Sequence, residues 1–67
     1  MTFMEACDFM MPFGKHMGKT LWAILEKDPK YIDWMAGCAW HNDVLEAVTT
    51  FLKHPDVQRK LDAAVFE

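Results

Sequence analysis

Short apolar stripes along the chain are separated by residues that start or stop helices. Thr2 with Glu5 three positions on fits a capping box, in which each side chain satisfies a free backbone N–H, and predicts one helical turn through Cys7 or Asp8. Phe9-Met10-Met11-Pro12-Phe13 is apolar and aromatic, with no helical period. Pro12 pushes Met11 toward extended geometry and cannot donate to a central ladder, so this segment is expected as an edge strand. Gly14 and Gly18 suit a tight reversal with positive φ, after which Met17 to Lys19 would return as the second arm of a small hairpin.

From Thr20 onward the period is helical. Thr20 can cap a helix over Leu21–Lys27, whose Leu21, Ile24 and Leu25 share one face. Asp28-Pro29 ends it and opens the next, Asp as the cap and Pro at the first helical position. That helix puts Tyr31, Trp34 and Met35 on one stripe and stops at Gly37. The stripe is expected to pack inward against Phe13, Leu21 and Leu25. After a loop over 38–42, Asn42 or Asp43 would cap a third helix in which Val44, Ala47, Val48 and Phe51 recur at helical spacing. His54-Pro55 breaks the pattern, and Pro55 opens a last helix with Val57, Leu61 and Ala64 as its stripe. The predicted fold is α+β and mostly helical: a small N-terminal β-hairpin packed against three to four short helices. No internal repeat or low-complexity segment interrupts it. It is expected as a single domain over 1–67, with a motif core at 11–37 and a C-terminal helical pair at 43–66.

Composition narrows this picture. Sixty-seven residues allow one small core and no second catalytic domain, while 52% hydrophobic and 13% aromatic residues argue for a folded chain. Six Met and three Trp exceed what such a core can enclose, so some are expected at the surface. The net charge of −3 argues against wholesale coating of nucleic acid. The first residues carry no positive region of the kind a signal peptide needs, and no apolar run reaches the length of a membrane span, so a cytoplasmic location with no membrane partner is expected. Cys7 and Cys38 are then expected reduced, as small hydrophobes.

Charge is unevenly distributed. None of the ten acidic residues falls between Phe9 and Leu25, so Lys15, His16 and Lys19 make the glycine loop locally cationic. Glycine N–H groups and lysines beside the helix at Thr20 could hold phosphate. The spacing Gly14-x-x-x-Gly18-Lys19-Thr20 is one residue short of a Walker loop.

Phe13-Gly14-Lys15-His16-Met17-Gly18-Lys19-Thr20-Leu21 followed by Asp28-Pro29-Lys30-Tyr31-Ile32-Asp33-Trp34-Met35 resembles the two-part signature of the exodeoxyribonuclease X-like C-terminal domain family. The resemblance covers Met11 to Gly37, with Phe13, Gly14, Gly18, Tyr31 and Trp34 as its structural residues. It implies a module appended to DNA-processing nucleases, or occurring as small stand-alone proteins, some labelled quorum-sensing-regulated virulence factors. Where the family usually has a second Lys before the second Gly, this chain has Met17, which removes a charge from the loop.

Other candidates are weaker. Trp34 and Tyr31 are expected in the core, and Trp22 and Trp40 at the surface, where Trp22 could stack on an unpaired base. Cys38-x-x-His41 has a metal-like spacing, but Cys7 and His16 do not form the second tight pair a structural zinc uses, so buried thiols and exposed imidazoles at His16 and His41 are preferred. Cys38 and His41 are also too thin a basis for a nucleophile and its base, while Asp28 and Asp33 look like a helix cap and a solvent-facing residue. The nucleases that carry the module keep their catalytic acids in a separate domain, so no catalytic residue, metal or cofactor is expected here. The expected function is a non-catalytic nucleic-acid-binding accessory module using Lys15, His16, Lys19 and Trp22, with single- or double-stranded DNA or a DNA-processing protein as partner. The alternative is a protein-interaction module that regulates or inhibits a partner protein, suggested by the acidic charge and the excess of Met and Trp.

Overall fold

Local signals fix most helix starts in the computed structural model, which describes residues 1–65. Five helices follow in order: α1 (Phe3–Asp8), α2 (Leu21–Lys27), α3 (Pro29–Ala36), α4 (Asn42–Lys53) and α5 (Pro55–Val65). The capping box is formed, with Glu5 N–H donating to Thr2 Oγ1 at 3.2 Å and Thr2 N–H to Glu5 Oε1 at 2.8 Å. Thr20 Oγ1 accepts from Ala23 N–H at 3.2 Å and opens α2. Pro29 and Pro55 sit at the first positions of α3 and α5. Position 66, the last of the expected C-terminal helical pair, lies outside the described residues. No helix of the described residues is long and apolar enough to cross a membrane.

The expected α+β class and its β-hairpin are not what forms. The described residues are helical apart from loops and one isolated antiparallel bridge between Met10 and Thr20. Leu21 N–H donates to Phe9 O at 3.0 Å, Met11 N–H to Lys19 O at 3.0 Å and Gly18 N–H to Met11 O at 2.9 Å, which ties the two ends of the loop together. Pairing stops there because Pro12 has no N–H to extend a ladder and 12–18 run through bends and turns. Met11, expected in an edge strand, is instead a core residue at 1% exposure. Phe9 to Leu21 therefore forms a loop closed at its base by backbone hydrogen bonds, with Met11 anchored in the helical core.

Helices α2 and α3 pack on each other, α5 lies against α3 and α4, and α1 contacts α4 and α2. One core results, built from Leu21, Ile24 and Leu25 of α2, Ile32 and Met35 of α3, Ala47, Val48 and Phe51 of α4, and Val57 and Leu61 of α5. Trp34 departs from expectation: it is 56% exposed, Tyr31 is half-buried, and the inward face of α3 is Ile32 with Met35. Met35 belongs to both possible stripes, Tyr31–Trp34–Met35 and Ile32–Met35. Against α2 and α5 the slimmer aliphatic side fits, and the aromatic side turns outward. At α4 the cap position falls to His41, with Asn42 inside the helix at φ +55°.

Candidate interaction surface

The glycine loop is clasped to the start of α3. Gly14 and Gly18 hold φ of +94° and +84°, as the reversal requires. Gly14 has a second reason to lack a side chain, since a Cβ there would stand 3.2 Å from the Tyr31 hydroxyl. A Cβ on Gly18 would meet nothing within 4 Å, so only its backbone angle matters. Between the glycines, His16 folds inward. Its Nε2 lies 3.2 Å from Asp28 Oδ2, and its ring meets Tyr31 edge-on at 4.7 Å between centroids. Lys15 Nζ donates to the same Asp28 oxygen at 3.3 Å.

Asp28 occupies the cap position of α3 without capping it, because its carboxylate is taken by the loop. The His16 hydrogen bond first, and the Lys15 hydrogen bond and charge after it, hold this carboxyl below the usual carboxylate range against the opposing effect of burial. Asp28 and Tyr31 thus join the second motif half to the first.

Of the residues expected to bind nucleic acid, Lys15 is exposed and ion-paired, and His16 is nearly enclosed, its side chain 11% exposed, which overturns its expected exposure. Lys19 is exposed and without an ion pair among the described residues. Trp22 does not join them. It is half-buried in the α2–α5 groove, edge-on to Phe51 at 6.5 Å, with Lys60 Nζ 5.2 Å from its ring centre.

Other aromatic residues gather where Trp22 was expected. Tyr31 and Trp34 lie 5.2 Å apart between centroids, Trp34 and Trp40 6.2 Å, and Trp40 and Phe13 5.9 Å, a continuous chain of rings that His16 adjoins through Tyr31. Trp40, expected exposed, is half-buried and donates its indole N–H to Met35 O at 2.8 Å. Phe13 is 50% exposed instead of packing inward, and Met10 and Met17 are exposed as well. Beyond Phe13 and Trp40 opens a cleft of ≈ 620 Å³. Sequence reasoning missed both the cleft and Asp28 as a tether. The available signal for the tether was charge: a Lys-His pair in an acid-free stretch, and an Asp opening the second motif half.

Cys38 and His41 assemble no metal centre: among the described residues no three His, Cys, Asp or Glu side chains converge to hold an ion. The Cys38 thiol donates to Trp34 O at 3.4 Å. Burial, with a smaller contribution from Asp8, pushes the Cys7 thiol up, away from the reactive thiolate form.

Fold and site together define a small helical module built around a clasped glycine loop. Residues 11–37 match the family model described as Exodeoxyribonuclease X-like C-terminal, so this segment, two fifths of the chain, is similar to that family. No curated protein and no solved structure matches the chain.

Proposed function

We propose that this chain is a non-catalytic accessory module that docks a partner protein, the glycine loop acting as a clamp that shapes the contact surface. The observation that carries this reading is an inversion of the expected surface. Lys15 and His16 close onto Asp28, while Phe13, Trp34, Met10 and Met17 stay exposed. Contiguous apolar surface of this kind marks interaction sites, and aromatic and Met side chains are enriched in them. The family match makes a DNA-processing protein the natural partner, because related segments are C-terminal regions of nucleases. No catalytic residue or cofactor is assigned.

Lys15 and Lys19 favour a second reading, nucleic-acid contact. Lys15 sits in an exposed ion pair, a kind that contributes little, so a phosphate can compete with Asp28 for it. Lys19 would add a second contact, His16 a hydrogen bond once freed, and Trp34 a stacking face in place of Trp22.

A photo-crosslinking residue at position 13 or 34, introduced into the chain in cells, decides between the two. The expected adduct is destroyed by protease and resists nuclease. A nuclease-sensitive adduct at both positions would overturn the proposal in favour of nucleic acid.

A further inference from the structure

The cleft beside the glycine loop has its own chemistry. Phe9, Met10, Pro12 and Phe13 from the loop, and Trp40 and Val44 from around the start of α4, line its ≈ 620 Å³. Trp40 already spends its N–H on Met35 O, so it offers a partner its ring rather than a donor. The Phe13 ring is tilted 41° to it, which makes two inclined aromatic walls. The one lining side chain with a formal charge at neutral pH is Asp43. It is exposed and makes no ion pair among the described residues. Lys15, the loop cation nearest in sequence, is turned away to Asp28.

We propose that this cleft docks an extended, proline- and aliphatic-rich segment of a partner protein that carries a Lys or Arg to meet Asp43. The inference rests on the protein-docking reading above and names the chemistry of the partner. Inclined aromatic rings accept pyrrolidine and aliphatic side chains on their faces. A polyproline-type segment arrives with its backbone already ordered, so it loses less entropy on binding. The unpaired carboxylate at the edge then sets direction, since a charge at an interface rim contributes orientation and encounter rate more than affinity. A nucleic-acid strand in the same cleft would bring phosphate toward Asp43, with no Lys or Arg in the lining to offset the repulsion.

The test is a heteronuclear NMR titration of the full chain with three short synthetic peptides. One is proline- and leucine-rich with an Arg at one end, the second has Glu in place of that Arg, and the third is a Gly/Ser peptide that keeps the Arg. The first should shift the amide signals of Phe9, Phe13 and Val44 and the Trp40 indole signal. It should bind roughly two- to fivefold more tightly than the second, the range of a single exposed ion pair. Asp43→Lys should reverse that order. Phe13→Ser, at a half-exposed ring, should abolish binding while the spectrum stays dispersed. Equal shifts from the Gly/Ser peptide, shifts centred on 14–19, a charge preference unmoved by Asp43→Lys, or no binding at millimolar peptide would each overturn the inference. A protease-sensitive crosslink together with silent peptides removes only this partner chemistry; a nuclease-sensitive crosslink removes the docking reading as well.

Discussion

At the scale of single residues, Gly14 and Gly18 separate two requirements that usually coincide. Both need positive φ, which costs any residue with a Cβ, but only Gly14 also faces a neighbour at contact distance, the Tyr31 hydroxyl. Gly14→Ala and Gly18→Ala should each destabilise the fold by roughly 1–3 kcal/mol, with Gly14→Ala the worse. Gly18→Asn should recover most of the loss, because Asn tolerates the left-handed region. Equal melting temperatures for the wild type and both Ala variants would refute this. Asp28 gives a prediction in pH. Its carboxyl is held below the usual range by His16 and Lys15, so the folded state favours the ionised form. The stability this group contributes is therefore complete above the ordinary carboxylate value of about 4, and is lost as pH falls through the depressed value. Urea unfolding of Asp28→Asn should show weaker stability than wild type at pH 7 and a smaller difference at pH 2. A difference that grows on acidification would contradict the tether.

At the scale of elements, α3 carries the sharpest test, because its two possible faces make opposite forecasts. Ile32 at 1% exposure lies in the core, whereas Trp34 rests on Tyr31 and Trp40 at the surface. Ile32→Ala should cost about 2–5 kcal/mol, which a domain with about 3–10 kcal/mol in all scarcely survives. Trp34→Ala should cost about 1 kcal/mol, the worth of its ring contacts, and leave the far-ultraviolet circular dichroism unchanged. Unfolding by Trp34→Ala with Ile32→Ala near wild type would restore the aromatic face as the core. The same helix marks where the sequence stops being legible. The starts of α1, α2, α3 and α5 were readable because Thr2, Thr20, Pro29 and Pro55 act through bonds and backbone limits within one turn. The stripe of α4 was readable because Val44, Ala47, Val48 and Phe51 recur at i, i+3, i+4 and i+7, and these are the residues it buries. Helix α3 has apolar residues on both sides of Met35, so the helices it packs against, α2 and α5 above all, decide its rotation. The loop from Phe9 to Leu21 failed for a related reason. Its composition suits a strand, but Met11 is drawn into a helical core and Pro12 ends the pairing after one bridge. The candidate site was legible as the two motif halves and its glycines, and illegible wherever a charge was satisfied by a partner distant in sequence.

At the scale of the whole molecule, size explains part of the exposed apolar surface and leaves a remainder. The Cα radius of gyration of 10.8 Å matches the roughly 10.9 Å expected of a compact chain of this length. So small a body buries a modest fraction of its surface, and single exposed apolar residues need no function. Contiguity is what size does not supply: Tyr31, Trp34, Trp40 and Phe13 touch in series and lead into one cleft. Charge points the same way. With a net charge of −3, affinity for nucleic acid must come from local cations, and Lys15 and His16 are already engaged by Asp28. Labelled oligonucleotides, single- and double-stranded, should therefore show no salt-sensitive binding near neutral pH even at low ionic strength. If Lys15 and Lys19 did reach phosphate, the duplex titration would instead give a log–log salt slope near about −2. Lys15→Glu with Lys19→Glu would abolish that binding, and Asp28→Asn would strengthen it by freeing Lys15. That combination of slope, loss and gain would return the chain to the nucleic-acid reading. Its absence would accord with the docking reading proposed above, in which the aromatic chain and its cleft form the contact surface.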